Sequence, residues 1–278
     1  MSARRRPPGQ VSLTIGLALL GLVAGAALLS LAWTPGDWSG VAVDQRLQTP
    51  NAAHGLGTDH YGRDVLSMLM VGARTTLGAA LAAVALGVAV GAPIGLLASA
   101  RGGWLDDLIM RAGDVVFAFP ALILAILLTA TLGPGALAVI LAIGIFNVPV
   151  FARVTRGAAL SLWSRDFVLA ARIAGKGTAA ISWQHILPNL VGLLVVQASI
   201  QASVAVIAEA GLSYVGLGAQ PPAPSWGRML NEAQTLMGVA PLQALFPGLA
   251  ILITVLGLNL VGDGLRDRLD PRLQGDRR

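Results

Sequence analysis

The chain has 278 residues, of which 55% are hydrophobic and only 12% are charged, and its mean hydropathy is +0.73. A soluble domain carries about 25% charged residues, so this composition excludes a water-soluble globular fold and requires surface that faces lipid. The absence of cysteine excludes disulfides and thiolate metal sites. The net charge of +5 comes from basic residues in short stretches between apolar runs, which argues against nucleic-acid binding.

Six apolar segments are each long enough to cross a hydrocarbon core about 30 Å thick as a helix. They are Val11–Trp33, Thr75–Ala100, Leu108–Leu132, Ala136–Val154, Leu190–Ala210 and Leu245–Leu265. Backbone groups in lipid must be hydrogen-bonded within their own segment, and no alternating ten-residue strands occur, so helices are predicted. The sequence therefore predicts an all-α, polytopic membrane helix bundle with six transmembrane helices in the lipid bilayer.

The first apolar segment follows three consecutive arginines, Arg4, Arg5 and Arg6, and so resembles a signal peptide. A signal peptide carries an apolar core of about 7–15 residues and ends at a small-residue cleavage site. The segment Val11–Trp33 is longer and matches the length of a membrane span. We therefore interpret it as an uncleaved first span, with residues 1–10 as a tail and residues 11–278 as one membrane domain.

The distribution of Lys and Arg predicts the orientation, because cytoplasmic loops carry an excess of both. With the N-terminus inside, 15 basic residues fall on the cytoplasmic side: Arg4, Arg5, Arg6, Arg101, Arg111, Arg153, Arg156, Arg165, Arg172, Lys176, Arg266, Arg268, Arg272, Arg277 and Arg278. The remaining four fall outside: Arg46, Arg63, Arg74 and Arg228. Both termini are therefore predicted to be cytoplasmic.

Three connections are long enough to carry function. Residues 34–74 and residues 211–244 form external loops, and residues 155–189 form a cytoplasmic loop. Within the spans, glycines at GxxxG spacing (Gly21 and Gly25, and Gly87, Gly91 and Gly95) predict close helix–helix contacts.

The first external loop contains a dense group of charged residues and glycines: Gly57, Asp59, Gly62, Arg63 and Asp64. The charged side chains either pair with one another and brace the loop, or contact a protein that delivers a ligand from outside. His54 and His60 lie nearby, but their spacing of six residues is not a metal-ligand signature, so no metal site is predicted.

The cytoplasmic loop is apolar along Asp166–Pro188, which is unusual for a solvated tether. It predicts two short amphipathic helices that are broken near Gly175 and Gly177, with Pro188 at the entrance of the next span. Such helices dock on another protein or lie on the lipid surface, and the loop by itself leaves both alternatives open.

The same loop does not bind ATP, although Gly175, Lys176 and Thr178 lie close together. A Walker A motif needs a glycine five residues before the Gly-Lys pair and Ser or Thr after it, whereas Ala170 and Gly177 stand at those positions. His185 has no evident nucleophile beside it, so no catalytic residue is predicted and no cofactor is expected on this chain.

Polar residues at intervals of four or eight follow one broad face of the fifth span: Gln197, Gln201 and Glu209. An acid within the membrane is costly and commonly faces an aqueous path or the bundle interior. This face therefore lines a translocation pathway or makes polar contacts between helices. Asp114 and Asn259 raise the same two alternatives more weakly.

The cytoplasmic loop resembles the EAA loop of bacterial ABC importer permeases, in which a short coupling helix docks on an ATPase subunit. The matching positions are Ala170, Ala171, Gly175, His185, Ile186, Leu187 and Pro188. The leading Glu of the family pattern is absent, and Leu169 stands in its place. The resemblance implies that this loop couples the chain to an ATPase, with Asp166 or Arg172 as candidates to replace the missing Glu contact.

Four further stretches are similar to permeases for dipeptides, oligopeptides and nickel, above all to the second permease of each pair. They are Gly57–Ser67, Ala208–Gly218, Pro221–Leu230 and Gly262–Arg272. The resemblance implies a type I ABC importer permease fold in the bacterial inner membrane. It also implies a second homologous permease, two ATP-binding subunits that use ATP and Mg, and an external substrate-binding protein.

The resemblance implies a di- or oligopeptide substrate, with nickel chelates, opines and short glycans as alternatives within the same class. Transport would proceed by alternating access, driven by the partner ATPases. An ion-coupled secondary transporter is the competing class, but it commonly shows inverted repeats and ion sites at the bilayer midplane, and neither is visible in the sequence.

Overall fold

The computed structural model describes residues 8–269. Ten α-helices in this range form a membrane bundle with short helices on both faces. They are α1 (Pro8–Leu29), α2 (Val65–Arg101), α3 (Gly103–Ala118), α4 (Ala121–Leu132), α5 (Ala136–Trp163), α6 (Asp166–Ile173), α7 (Thr178–Ile181), α8 (Leu187–Tyr214), α9 (Trp226–Ala233) and α10 (Leu242–Leu269). The all-α prediction is confirmed.

Five helices are long and apolar enough to cross a membrane, and a sixth span exists if α3 and α4 together count as one. The predicted span Leu108–Leu132 is not one continuous helix, because it is divided between α3 and α4, which meet at an angle of 87°. Phe119 has extended backbone angles (φ −88°, ψ 128°) immediately before Pro120. The proline ring disfavours a helical conformation at the preceding residue, which explains the break.

Helix boundaries also differ from the apolar segments. Helix α2 begins at Val65 rather than Thr75, because the Asp64 side chain accepts a hydrogen bond from the Ser67 backbone N–H and caps the helix there. Helix α5 continues past Val154 to Trp163. The three long loops, which were predicted over residues 34–74, 155–189 and 211–244, are correspondingly shorter than predicted. The terminal arginines Arg4, Arg5, Arg6, Arg272, Arg277 and Arg278 lie outside the described residues.

The centre of the bundle is the contact between α2 and α5, where α2 presents Gly87, Gly91 and Gly95 to its neighbour. A side chain at any of them would collide with Asn147, Val148, Phe151, Ala152 or Thr155 of α5. The predicted close packing at these three glycines is confirmed. At Gly21 and Gly25 of α1, no atom of another described helix lies within 4 Å of the point that a Cβ would occupy, so they make no such contact within residues 8–269.

Two groups of buried apolar side chains stabilise the fold. The larger one joins α2, α5 and α8 and includes Val168 and Ile181 of the short helices α6 and α7. The smaller one joins α1 and α2 to α9 through Val23, Met68 and Trp226. Both membrane faces are therefore attached to the bundle by apolar packing.

Candidate functional site

On one face, residues 164–186 form a compact unit between α5 and α8, which we call the coupling segment. Helix α6 ends near Ala174, Gly175 follows with a positive φ of 80°, and α7 begins at Thr178. A wider helical turn over Ser182–Ile186 then leads into α8, which has Pro188 in its first turn. The predicted pair of short helices with a glycine break is confirmed.

The inner side of the coupling segment is anchored in the bundle. Val168, Ile181 and Ile186 have at most 1% of their surface exposed, and Ala171 is buried beside them. At the end of α5, the Trp163 Nε1–H donates to Ser99 Oγ of α2 at 3.3 Å, and the Arg172 guanidinium lies 5.2 Å from the centre of the Trp163 ring. These contacts hold α6 against the ends of α2 and α5.

The outer side of α6 is apolar and open. Ile173 is 89% exposed, and Phe167 and Leu169 are 41% and 44% exposed. A free helix at a water-facing surface normally carries polar residues on this side. Exposed apolar side chains that are held in place by a buried inner face indicate a surface that is covered by a partner or by lipid.

The residues that match the EAA pattern do not form one surface. Ala170 and Gly175 are exposed on the outer side, whereas Ala171 faces the core and Leu187 and Pro188 begin α8. His185 is half-buried, and its Nε2 lies 2.9 Å from Lys176 Nζ, which also donates to Gln184 Oε1 at 3.0 Å. The contact between His185 and Lys176 therefore joins the wider helical turn to the residues that follow Gly175.

On the other face, residues 30–64 and 215–241 fold together into a unit that we call the external cap. Its centre is Arg63, whose guanidinium contacts the carboxylates of Asp59 at 2.6 Å and Glu232 at 2.7 Å. Glu232 also accepts from Arg228 Nε at 2.8 Å. Because Asp59 and Arg63 are buried, these ion pairs join the two parts of the cap through its interior.

Asp64 does not pair with Arg63, although the charged cluster in the sequence had suggested that pair. Its Oδ1 accepts from the Ser67 backbone N–H and hydroxyl, and its Oδ2 lies 3.0 Å from His54 Nδ1. Asp64 therefore caps α2, and Arg63 pairs elsewhere. Gly57 and Gly62 have positive φ, and a side chain there would collide with the backbone carbonyls of neighbouring turns.

The cap brings three residues with metal-ligating side chains together, and their ligand atoms lie within 4.8 Å of one another: Asp59, His60 and Glu232. The carboxylates of Asp59 and Glu232, however, both face the Arg63 guanidinium. A divalent cation would have to compete with that fixed positive charge. The arrangement is an ion-pair network that braces the cap, which is one of the two alternatives predicted for Asp59 and Arg63.

The polar residues of α8 occupy different environments. Glu209 is only 2% exposed, and its Oε1 accepts from Ser213 Oγ at 2.6 Å, with Thr76 and Ser225 also close to the carboxylate. Its Oε2 has no hydrogen-bond partner among residues 8–269. Gln197 and Gln201, towards the coupling segment, are half-buried. Glu209 is thus enclosed beneath the cap, whereas the two glutamines lie elsewhere on α8 in a more open environment.

The two weaker candidates within the spans make polar contacts between helices. Asp114 of α3 forms an ion pair with Arg153 of α5, and Asn259 of α10 accepts from Ser203 Oγ of α8 at 3.1 Å. Asp106 and Arg156 form a second pair between α3 and α5. These contacts link neighbouring helices.

Two residues of the cap have roles that the sequence analysis did not assign: Trp226, which it named only within the stretch Pro221–Leu230, and Glu232, which it did not name. Trp226 is 1% exposed, its backbone N–H donates to Thr76 Oγ1 at 3.3 Å, and its Nε1–H donates to the Leu69 carbonyl at 3.0 Å. Glu232 completes the Arg63 network. The spacing of Arg228 and Glu232, one helical turn apart, was an available signal for a charged pair.

Comparison with known proteins identifies the family. Residues 87–275 match the family described as binding-protein-dependent transport system inner membrane component. The glutathione transport system permease protein GsiD of Pectobacterium atrosepticum is 46% identical over 231 residues, which cover 83% of this chain and 77% of that protein. The dipeptide transport system permease protein DppC of Alkalihalophilus pseudofirmus is 39% identical over 263 residues, which cover 93% of this chain and 86% of that protein.

Among solved structures, an inward-facing form of the MetNI methionine ABC transporter superposes with a TM-score of 0.61 at 20% identity. The match covers 73% of this chain and 96% of that chain and supports the fold alone. The sequence resemblance to ABC importer permeases is confirmed by the family match and by the relatives. The chain therefore belongs to the binding-protein-dependent transport system inner membrane components, as a translocation subunit of an ABC importer.

Proposed function

We propose that this permease imports di- or oligopeptides and works with a second homologous permease, two ATP-binding subunits and an external substrate-binding protein. The names of the relatives, which are glutathione and dipeptide permeases, support the substrate class. ATP and Mg are handled by the ATP-binding subunits, whose closure drives alternating access. Uptake of labelled peptides by the complete transporter, with nickel chelates and opines as competitors, tests the substrate. If labelled peptides are not taken up and a nickel chelate or an opine is, that compound replaces the peptide as the assigned substrate.

The observation that carries the coupling role is the outer side of α6. Ile173, Leu169 and Phe167 are exposed although the helix that bears them is anchored by buried residues. Docking on an ATPase would remove this apolar surface from water at about 25 cal/mol per Å². Leu169, which stands where the family has Glu, would then contribute an apolar contact in place of a polar one.

The experiment is the substitution Gly175→Asp. Gly175 has a φ of 80°, and no atom of residues 8–269, apart from its two chain neighbours, lies within 4 Å of the point that a Cβ would occupy there. A side chain strains the turn and projects towards the docking partner. We expect normal membrane insertion but loss of ATPase association, or ATP hydrolysis that no longer drives transport.

The matched control is Gly238→Asp, at an exposed glycine of the external cap that is likewise free of atoms within 4 Å. It adds the same charge on the opposite face and should leave ATPase association intact. Pull-down of the ATPase and transport are measured in the same membranes. If Gly175→Asp leaves both unchanged, the coupling role is excluded and the lipid-surface alternative is preferred.

We propose further that the pathway follows the face of α8 that carries Gln197 and Gln201. Glu209 is buried and accepts a hydrogen bond from Ser213. For that residue, this supports a polar contact in the bundle interior over a place in the pathway. The chain has no cysteine, so single-cysteine variants have no background reactivity. Maleimide should label Gln197→Cys and Gln201→Cys, with protection by substrate, and should not label Glu209→Cys.

The orientation is also a proposal, with both termini in the cytoplasm and the external cap outside the inner membrane. It rests on the excess of basic residues on the side of the coupling segment. A reporter fused after Arg278 should be active only inside the cell. Activity on the outside would reverse the assignment of the two faces.

A further inference from the structure

An open groove of about 400 Å³ runs between α2 and α8 in the half of the bundle nearest the coupling segment. Its walls are apolar along their whole length and include Val88, Ala92 and Leu96 of α2 and Leu187, Val191 and Leu194 of α8. No charged side chain of residues 8–269 lines it. The groove therefore suits an extended hydrocarbon group.

The groove continues into a second chamber of about 200 Å³ at the end of α2. Pro93, Leu96 and Trp183 line both spaces, so the two spaces adjoin along these residues. The second chamber differs in character, because Arg101 and Thr178 contribute a guanidinium and a hydroxyl to its wall. The combined space is thus apolar at one end and basic at the other.

Arg101 is the last residue of α2 and is exposed. Its guanidinium makes no hydrogen bond or ion pair with any residue among those described, and none of the residues that line the two chambers is acidic. Trp183, which is 55% exposed, lies where the apolar and basic parts meet. Tryptophan is enriched at membrane–water interfaces, and basic pockets between transmembrane helices bind phospholipid headgroups.

We propose that this groove holds a phospholipid, with one acyl chain between α2 and α8 and its phosphate on Arg101. An apolar helix of a second permease would fill the first chamber but would make no use of the Arg101 guanidinium in the second. A phospholipid supplies both the alkyl chain and the negative charge. The assignment to the cytoplasmic leaflet rests on the proposed orientation, whereas the binding site itself does not.

The bound lipid would touch the coupling segment directly. Thr178 of α7 and Trp183 line the second chamber together with Pro93 and Leu97 of α2. A phospholipid there contacts both the end of a membrane span and the unit that we propose docks on the ATPase. The lipid would therefore act as part of the support beneath the coupling segment.

The test uses the complete transporter in nanodiscs that contain phosphatidylglycerol with a photoreactive group in one acyl chain. After illumination, labelled peptides are identified by mass spectrometry. We expect labels on residues 88–96 and 183–198. Arg101→Gln should lower that labelling about fivefold, as expected for the loss of one cation near a membrane surface, and Ala198→Trp should abolish it by filling the groove.

Two variants are matched controls. Arg111→Gln removes an exposed arginine of α3 that does not line either chamber, and Val204→Trp enlarges an exposed residue of α8 outside the groove. Both should retain full labelling of the groove. ATPase pull-down from the same samples separates this proposal from the coupling role, because lipid labelling can fail while association remains intact.

Two results would overturn the proposal. The first is labelling that is even over all lipid-facing helices and unaffected by Arg101→Gln, which indicates bulk lipid only. The second is absence of groove labelling together with a disulfide between Val191→Cys and a cysteine of the second permease, which indicates that a protein covers the groove.

Discussion

The external cap and the coupling segment, at the two ends of the same bundle, differ in which kind of side chain they bury and which they expose. The cap buries charge, with Arg63 held between Asp59 and Glu232 inside the chain. The coupling segment exposes apolar surface, with Ile173 almost fully open. The cap thus pairs its charged groups within the chain, whereas the coupling segment exposes apolar groups that, under the proposed function, the ATPase covers. We therefore expect polar residues of the cap to act on stability and apolar residues of the coupling segment to act on binding.

The strongest test of whether ion pairs within the chain stabilise the cap is the substitution Arg63→Met. It removes the cation shared by two partly buried carboxylates, and breaking a buried pair in this way typically costs about 3–5 kcal/mol. We expect a large fall in the thermal stability of the purified permease in detergent. Arg74→Met, at an exposed arginine of α2, should have little effect. Equal stability of the two variants would show that the cap does not depend on its ion pairs.

Ile173→Asp tests whether the exposed apolar side of α6 contributes to ATPase binding and not to the stability of the fold. Because Ile173 is 89% exposed, the free energy of unfolding should hardly change. Loss of a buried isoleucine at an interface, about 1.5–3 kcal/mol, should weaken ATPase binding about 10- to 100-fold. Binding is measured by titration of the ATPase onto permease in nanodiscs. A variant that binds normally but unfolds easily would assign Ile173 to the fold instead.

Asp64→Ala examines a single polar group of the cap. It removes the N-cap of α2 and the partner of His54, and loss of an N-cap typically costs about 1 kcal/mol. The melting temperature should fall modestly, with ATPase binding unchanged. The control is Asp44→Ala, at an exposed aspartate of the same loop. A fall in ATPase binding would contradict the separation of the two faces.

The smallest expected effect concerns Asp37 at the exposed edge of the cap. Hydrogen bonds from the Ser39 and Gly40 backbone N–H groups lower the pKa of its carboxyl. A lowered pKa stabilises the fold above the ordinary carboxyl range, and the gain is lost as the pH falls through the folded-state pKa. Asp37→Asn should slightly lower thermal stability at neutral pH and remove this small acid dependence. An unchanged pH profile would refute the role.

Much of the fold follows from the sequence, because membrane spans are dictated by hydropathy. The two short helices of the coupling segment followed from the glycines at 175 and 177. The Asp59–Arg63 pair, which lies four residues apart in sequence, was also within reach of local reasoning. In each case the signal and the structure involve neighbouring residues.

What the sequence did not reveal depends on contacts between distant segments. Glu232 reaches Arg63 across 169 positions, so no local pattern connects them. The enclosure of Glu209 depends on the placement of Ser225 and Trp226 over the end of α8, which helical periodicity does not contain. The bend between α3 and α4 is different, since the Phe119-Pro120 step is a local signal in the sequence that the sequence analysis did not use.

The long-range contacts of the external cap have a consequence for recombination between related permeases. Residues 30–64 and 215–241 are joined by Arg63–Glu232, and Gln243 at the start of α10 donates to the Thr58 carbonyl at 2.7 Å. A chimaera that takes one of these loops from a relative without the matching Arg63 or Glu232 would leave buried charges without their native partners. The two loops should therefore be exchanged together as one unit, independently of the coupling segment on the opposite face.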